Sequence, residues 1–327
     1  MRVRYRNLGR TGLSVSEIGF GCGTTADLMI HGTPEERRAA VARALEFGIN
    51  YFDTAPVYGD GASETNLGAA LRELGAQPLV ATKVALAASD FDDIQSAVIR
   101  SVEASLKRLD LEALPLIQLH NRVGQARAAK SAFGTGALLT ADDVLGPHGV
   151  VEGFRALRER GLVRYFGCSA YGGDVAVIRR LIASDMFDAI IVSYSLLNTT
   201  AWQEQNLKTH VADYGKVGAK AAAAGMGTIA LRVLEGGILA GDTPQTPTAR
   251  PSPDHVAMQE QARLLCTRLA PSDPSLSEIA IRFALGNEEI STVLIGFSEI
   301  RQIEEAVRFS SAGPLSAELR HRLLEVG

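Results

Sequence analysis

The chain has 327 residues, 46% of them hydrophobic and 21% charged, which is ample for a large core; length alone suggests about two domains, yet α/β barrels often reach this size as one unit. A net charge of −4 lacks the basic footprint of a nucleic-acid binder, and no run approaches the ~18 apolar residues of a membrane span. Three cysteines at long spacings, Cys22, Cys168 and Cys266, form neither a zinc pattern nor a disulfide framework, and the charged N-terminus MRVRYRNLGR lacks an apolar signal core, so a reducing cytoplasm is expected.

Residues 1–17, with Gly9 and Gly12 between apolar positions, predict a hairpin that closes the N-terminal end of the fold. Eight short apolar runs come next: Ile18–Gly21, Ile49–Phe52, Leu79–Thr82, Leu114–Leu119, Arg164–Cys168, Ala189–Val192, Met226–Leu231 and Thr292–Ile295. They are continuous rather than alternating, as parallel strands covered on both faces require. Helical patterns separate them. Thr33-Pro34-Glu35-Glu36 offers a cap, a proline at the first helical position and a glutamate at the third. From Ile94 the apolar positions Ala97, Val98, Val102, Leu106 and Leu109 recur with a period near 3.6 residues. Further helices are predicted over 63–74, 150–161, 172–184, 207–224, 275–286 and 299–309.

Eight strands, each followed by a helix, predict a (β/α)8 TIM barrel of the α/β class, formed by residues 1–327 as one domain. A doubly wound sheet would need G-x-G-x-x-G at its first strand–helix turn. Gly19, Gly21 and Gly23 are spaced by two, with no third glycine at the right distance. Two long loops, 121–149 and the Pro/Thr-rich 241–256, are expected to act as lids on the C-terminal face.

In such a barrel the chemistry sits at the C-terminal strand ends. The second strand ends at Asp53, with Tyr58 just beyond; the third ends at Lys83 and the fourth at His120. Alone, Asp53 reads as a turn cap, Lys83 as a snorkelling side chain and His120 as a rim histidine. With 6 histidines in 327 residues, however, a histidine falls at one chosen strand end in roughly 2% of cases. Adjacent strand ends bring acid, lysine, histidine and phenol into one small volume. A phenol with a pKa near 10 is a poor donor at neutral pH, and a neighbouring ammonium lowers that pKa. A carboxylate beside the lysine holds it charged, and a neutral imidazole positions a carbonyl oxygen. The set suits protonation of an alkoxide that forms as hydride reaches a carbonyl carbon.

These segments resemble the aldo-keto reductase superfamily over nearly the full chain. The resemblance is carried by NLGRTGLSVSEIGFGCG, GINYFDTAPVYG, ATKV, IQLHN and GLVRYFGCSAY. It implies a catalytic tetrad of Asp53, Tyr58, Lys83 and His120, with Tyr58 as general acid/base. It also implies a nicotinamide cofactor at the C-terminal mouth, held by Gly21, Asp53, Ser169, Leu231, Arg232, Leu234, Ser298, Gln302 and Glu305, and no metal. Ser169 matches the family's carboxamide-binding serine. The family's neighbouring asparagine is Ala170 here, its glutamine is Ile191, its stacking aromatic is Leu231, and its adenine-contacting asparagine is Ala306. No cation stands at Ser298, where several members grip a 2′-phosphate, and Arg301 is the nearest substitute.

The resemblance therefore implies an NAD(P)(H)-dependent oxidoreductase that interconverts an aldehyde, ketone or sugar carbonyl and the alcohol. NADP(H) is favoured and NAD(H) is the alternative. The partner is a small molecule, with neither nucleic acid nor membrane. A non-catalytic, cofactor-binding accessory subunit is the second reading. A barrel aldolase with Lys83 as Schiff-base nucleophile is the third. Substrate choice is expected in loop 121–149, in 194–204 with Trp202, and in 241–256; Arg122 reads either as facing an anionic or hydroxylated substrate or as a solvated loop charge.

Overall fold

The N-terminal residues pair before the barrel begins. Strands β1 (Tyr5–Asn7) and β2 (Ser14–Ser16) run antiparallel, Tyr5 opposite Ser16. The computed structural model describes residues 1–130, 135–204, 212–241 and 253–324. Eight parallel strands then close into a ring: β3 (Ile18–Gly21), β4 (Tyr51–Asp53), β5 (Leu79–Val84), β6 (Leu114–Leu119), β7 (Val163–Ser169), β8 (Ala189–Ser193), β9 (Gly227–Leu231) and β10 (Thr292–Gly296). Strand β10 pairs with both β3 and β9, so no edge remains.

Residues two apart on a strand face the same side, so the continuous runs feed two cores. Tyr51, Ala81, Leu116, Ala189, Ile191 and Ile229 fill the ring interior. Ile18, Phe20, Phe52, Val80, Ile117, Phe166 and Ile190 face outward and pack beneath the helices. Phe20 stacks on Phe52 at 5.2 Å between ring centroids and meets Phe297 edge-on at 5.1 Å. Asp53, Lys83 and Gln118 continue the inward-facing rows: Tyr51 precedes Asp53 by two, and Lys83 lies opposite Gln118 in the β5–β6 register.

The helices stop and start where their caps dictate. In α2 (Pro34–Glu46) the Thr33 hydroxyl accepts from the Glu36 amide at 3.2 Å, and Glu36 accepts in return from the Thr33 amide at 2.8 Å, as the sequence predicts. Helix α3 (Ala62–Leu74) ends at Gly75, whose φ of +60° suits a residue without Cβ. Helix α4 (Ile94–Leu109) buries Ala97, Val98, Val102, Leu106 and Leu109, the predicted stripe. Helices α6 (Val150–Glu159), α7 (Val175–Ala183), α10 (Leu276–Leu285) and α11 (Ile300–Ser311) also form near their predicted spans.

Five elements differ from the sequence expectations. A short helix, α1 (Leu28–His31), follows β3. Loop 121–149 contains α5 (Ala141–Leu145), because Thr140 and Asp143 cap one another as Thr33 and Glu36 do. Helix α8 spans only Val217–Ala223, and residues 205–211 of the predicted 207–224 lie outside the described residues. Helix α9 (Pro253–Cys266) takes over part of the expected 241–256 loop, whose residues 242–252 lie outside the described residues. A final helix, α12 (Ala317–Leu324), buries Leu319 and Leu323.

The hairpin seals the N-terminal end. Leu8 is fully buried in the ring core. A Cβ on Gly9 would lie 2.2 Å from the Gly227 amide nitrogen, so only glycine lets the turn seat against the start of β9. Arg6 donates to the carbonyl oxygens of Leu285, Asn287 and Ile290 at 2.6, 3.0 and 2.7 Å. Buried Glu17 gathers Arg4, Arg6 and the Ser310 hydroxyl. With that end of the ring plugged, the barrel interior opens where the strands terminate. No helix among the described residues is long and apolar enough to cross a membrane.

Candidate active site

Lys83 stands at the centre of the C-terminal mouth with all three ammonium protons directed. It donates to Asp53 Oδ1, to the Thr54 carbonyl oxygen at 2.8 Å and to the Tyr58 hydroxyl at 3.4 Å. Its nitrogen also lies 5.0 Å from the Tyr58 ring centroid. Asp53 is the last residue of β4 and Lys83 the penultimate residue of β5, so neighbouring strands deliver the pair. Tyr58 is placed by a turn, its amide donating to the Ala55 carbonyl oxygen at 3.1 Å. His120 follows β6 directly and meets the Tyr58 ring edge-on, 5.6 Å between centroids at 89°. Its Nδ1 is buried without a hydrogen-bond partner among the described residues.

Gln118, two residues before His120 on the same face of β6, joins the site without any signal in the sequence. Its Nε2 donates to Asp53 Oδ2 at 2.8 Å, so both carboxylate oxygens are engaged. The Lys83–Asp53 pair is almost fully buried. Such a pair persists only when well hydrogen-bonded, because desolvation of each ion costs several kcal/mol. Gln118 and the Thr54 carbonyl supply that support.

The titration behaviour is set by this packing. Burial, the largest influence, opposes the charge on Lys83, but Asp53 and Tyr58 together outweigh it and hold the ammonium pKa above its ordinary value. Burial, then the Lys83 charge, drives His120 well below the ordinary imidazole value, so it is neutral. For Tyr58 the expected lowering is reversed. Burial pushes the phenol up, Lys83 pulls it down and Asp53 adds to the rise; burial wins in the ligand-free protein.

The mouth opens into a cavity of about 510 Å³, within the range of small-molecule and cofactor pockets. Asp53, Tyr58, Lys83 and His120 form one end. Gly21, Ser169, Ile191, Leu231, Arg232 and Leu234 line the middle, and Ser298, Gln302, Glu305 and Ala306 line the other end. Strands β9 and β10 stand across the ring from β5 and β6, so the cavity runs outward from the barrel axis toward α10 and α11. All sequence-predicted site residues thus share one cavity.

The segment after β9 shapes its wall with an unusual backbone. Arg232, Glu235, Gly236 and Gly237 have φ of +61°, +46°, +64° and +100°. Non-glycine residues in this region cost about 1–2 kcal/mol each, so something must hold them. Glu235, fully buried, accepts from Arg232 Nε at 3.1 Å and from the Ser195 hydroxyl at 2.5 Å. Arg232 also donates to the Tyr171 hydroxyl at 3.2 Å. The turn exposes backbone to the cavity: a Cβ on Gly237 would meet nothing within 4 Å. Glu235 is invisible in the sequence, since a lone acid in EGGILAG carries no signal of its partner forty residues away.

Aldo/keto reductase family sequences match residues 17–326. The chain belongs to the aldo/keto reductase family. Family membership makes it an oxidoreductase built on a TIM barrel. It is similar to L-galactose dehydrogenase of Arabidopsis thaliana, 27% identical over 311 residues that cover 94% of this chain and 88% of that protein. A probable voltage-gated potassium channel subunit beta of Oryza sativa subsp. japonica is 31% identical over 124 residues, 36% of this chain and 37% of that protein. The solved aldo-keto reductase AKR11C1 from Bacillus halodurans, holo form, superposes with TM-score 0.76 at 25% identity, covering 99% of this chain and 96% of that one. Its apo form gives 0.67 at 24% identity, with the same coverage. The backbone is thus nearer to the holo form.

Two substrate expectations for this reductase are corrected. Arg122 does not line the cavity: it is buried, lies 5.3 Å from the Tyr171 ring centroid and fills the space over Gly172, where a Cβ would sit 2.3 Å from Cζ. The missing side chain of Gly172 makes that slot. Residues 194–204 do not line the cavity either; Trp202 packs edge-on against Tyr194 at 4.9 Å and over Gly218. From loop 121–149, Thr135 does reach the cavity.

Proposed function

We propose that this aldo/keto reductase interconverts an aldehyde, ketone or sugar carbonyl and the corresponding alcohol, using NAD(P)(H), with Tyr58 as general acid/base. The observation that carries the reading is the Asp53–Lys83–Tyr58 hydrogen-bond chain beside a neutral His120, in the wall of a cavity of about 510 Å³. The name of the Arabidopsis relative fits a sugar carbonyl.

The residues present fit a dinucleotide. Ser169 offers a hydroxyl near the tetrad, Leu231 an apolar surface for a flat ring, and Gly236–Gly237 a close approach for phosphates. Ile191 and Ala170 offer no amide, so Ser169 alone of the family's three polar residues is retained for the carboxamide. When bound, the nicotinamide supplies or accepts hydride at the substrate carbon. Tyr58 donates its proton to the carbonyl oxygen in reduction and takes it back in oxidation. Lys83 stabilises the phenolate left behind, Asp53 keeps Lys83 charged and aimed, and neutral His120 orients the oxygen.

Tyr58→Phe tests this. The variant keeps ring packing and loses only the proton, so turnover should fall by about 10³-fold with cofactor Kd within twofold. Equal turnover would remove Tyr58 from the role. A wild-type protein that binds dinucleotide yet turns over no aldehyde, ketone or sugar would favour the accessory-subunit reading.

A further inference from the structure

We infer that the first turn of α3 is the positioning element of the site: Ser63 and Glu64, neither of which lines the cavity, set the distance between the Tyr58 hydroxyl and the Lys83 ammonium. This rests on the hydride-transfer reading above, in which those two groups act together. Both Ser63 and Glu64 are fully buried.

Ser63 holds the side of the acid. Its amide donates to the Tyr58 carbonyl oxygen at 3.2 Å, and its hydroxyl donates to the Cys22 carbonyl oxygen at 2.9 Å. A hydroxyl has one proton, so in the 2.9 Å contact with Thr54 Oγ1 the threonine is the donor. One serine thus joins the residue after β3, the residue after β4 and the Tyr58 turn. The Thr54 that it holds also presents the carbonyl oxygen that accepts from Lys83.

Glu64 holds the side of the lysine. Its Oε1 accepts from Thr82 Oγ1 at 2.5 Å and its Oε2 from Arg108 Nε at 2.6 Å. Thr82 immediately precedes Lys83 on β5. Arg108 compensates the buried carboxylate and lies against Gly61, where a Cβ would sit 2.8 Å from Arg108 Cδ. Two consecutive residues therefore tie the turn that carries Tyr58 to the strand that carries Lys83. A shift of about 1 Å at a reacting group can cost on the order of 10²-fold in rate, so slack in this brace is read in turnover although neither residue meets substrate. It is also read in pH dependence, because Lys83 pulls the Tyr58 phenol down and separation weakens that pull.

The experiment compares Ser63→Ala with wild type in the purified full-length protein, reducing p-nitrobenzaldehyde with NADH and with NADPH. The variant should lower kcat by about 10-fold, with KM and dinucleotide Kd within twofold. The basic limb of its kcat–pH profile should move up. Its crystal structure should show the Tyr58 hydroxyl displaced from Lys83 Nζ. If Ser63→Ala does not fold, Thr82→Val is read the same way and should lower kcat at least threefold, while Thr82→Ser, which keeps the hydroxyl, should restore it. Ser310→Ala removes a buried hydroxyl from Glu17 at the opposite end of the barrel and should lower the urea midpoint with kcat unchanged. A lowered midpoint in Ser63→Ala and Thr82→Val, with kcat and pH profile unmoved, overturns the inference. A wild type that reduces the aldehyde with neither dinucleotide counts against the hydride-transfer reading. The brace is then decided by the crystal structures alone: Tyr58 displaced in Ser63→Ala supports it, and Tyr58 unmoved overturns it.

Discussion

The two ends of the cavity are built differently. The inner end is made of strand termini; its charged groups are buried, paired and hydrogen-bonded on every side. The outer end is made of the turn after β10 and the first turns of α11, where Ser298 and Arg301 are exposed. A group fixed by a barrel strand cannot shift without disturbing its neighbours, so the inner end dictates one chemistry. A group on an exposed helix start can be exchanged at little cost to folding. The outer end is the part of the cavity wall that tolerates exchange.

If the inner end is over-determined in this sense, breaking it should cost both activity and stability. Lys83→Met removes the ammonium from Tyr58 and leaves Asp53 buried with Gln118 alone. Turnover should fall about 10³-fold, and stability by about 3–5 kcal/mol, the usual result of orphaning one partner of a buried pair. Adding Asp53→Asn should recover much of the stability, since no uncompensated charge remains, and none of the turnover. Urea unfolding and steady-state kinetics on the two variants check this. Recovery of turnover in the double variant would contradict the role given to Lys83.

A smaller break sharpens the comparison. Gln118→Leu is close to isosteric and removes one donor from Asp53 Oδ2. Turnover should drop by about 10-fold, in line with the ~1.5–3 kcal/mol of a hydrogen bond to a charged group, while dinucleotide affinity stays within twofold. Ser298→Arg at the other end should do the opposite, weakening dinucleotide binding and leaving turnover at saturation almost intact. Matching losses of affinity in both variants would mean the two ends are not separable.

The same contrast explains what could be read from the residues alone. The barrel was legible because its strands are continuous apolar runs and its helices carry their own caps, as at Thr33 and Glu36. The placement of Asp53, Tyr58, Lys83 and His120 was legible because strand ends converge by topology, whatever the loops do. Gln118 was hidden because a glutamine inside an apolar strand declares no partner. Glu235 and Arg122 were hidden, or misread, because their contacts run between loops: Glu235 to Ser195, and Arg122 into a slot opened by Gly172. Sequence spacing carries no information on which loops meet. Helices α5 and α9 escaped for a related reason: each lies in a stretch whose composition reads as loop, and in α5 a local cap decides the matter.

The smallest effect concerns His120 and the acid side of neutrality. In the folded protein, burial and the Lys83 charge hold its pKa well below the ordinary value; in the unfolded chain it titrates near 6.5. Between those two values the unfolded state binds a proton that the folded state refuses. Stability is therefore full above pH ~6.5 and falls as pH drops toward the folded pKa, by at most ~1.4 kcal/mol per pH unit. His120→Asn keeps a polar side chain and removes the titration. From pH 7.5 to pH 5.0 the wild type should therefore lose up to about 2 kcal/mol more than the variant, measured by urea unfolding at each pH. The remaining histidines and the carboxylates are common to both proteins and cancel in the difference. Equal losses would mean that the imidazole takes up a proton in the fold as easily as in water. Lys83 would then not be charged beside it, and the inner end of the cavity would lack the fixed electrostatics that distinguish it from the outer one.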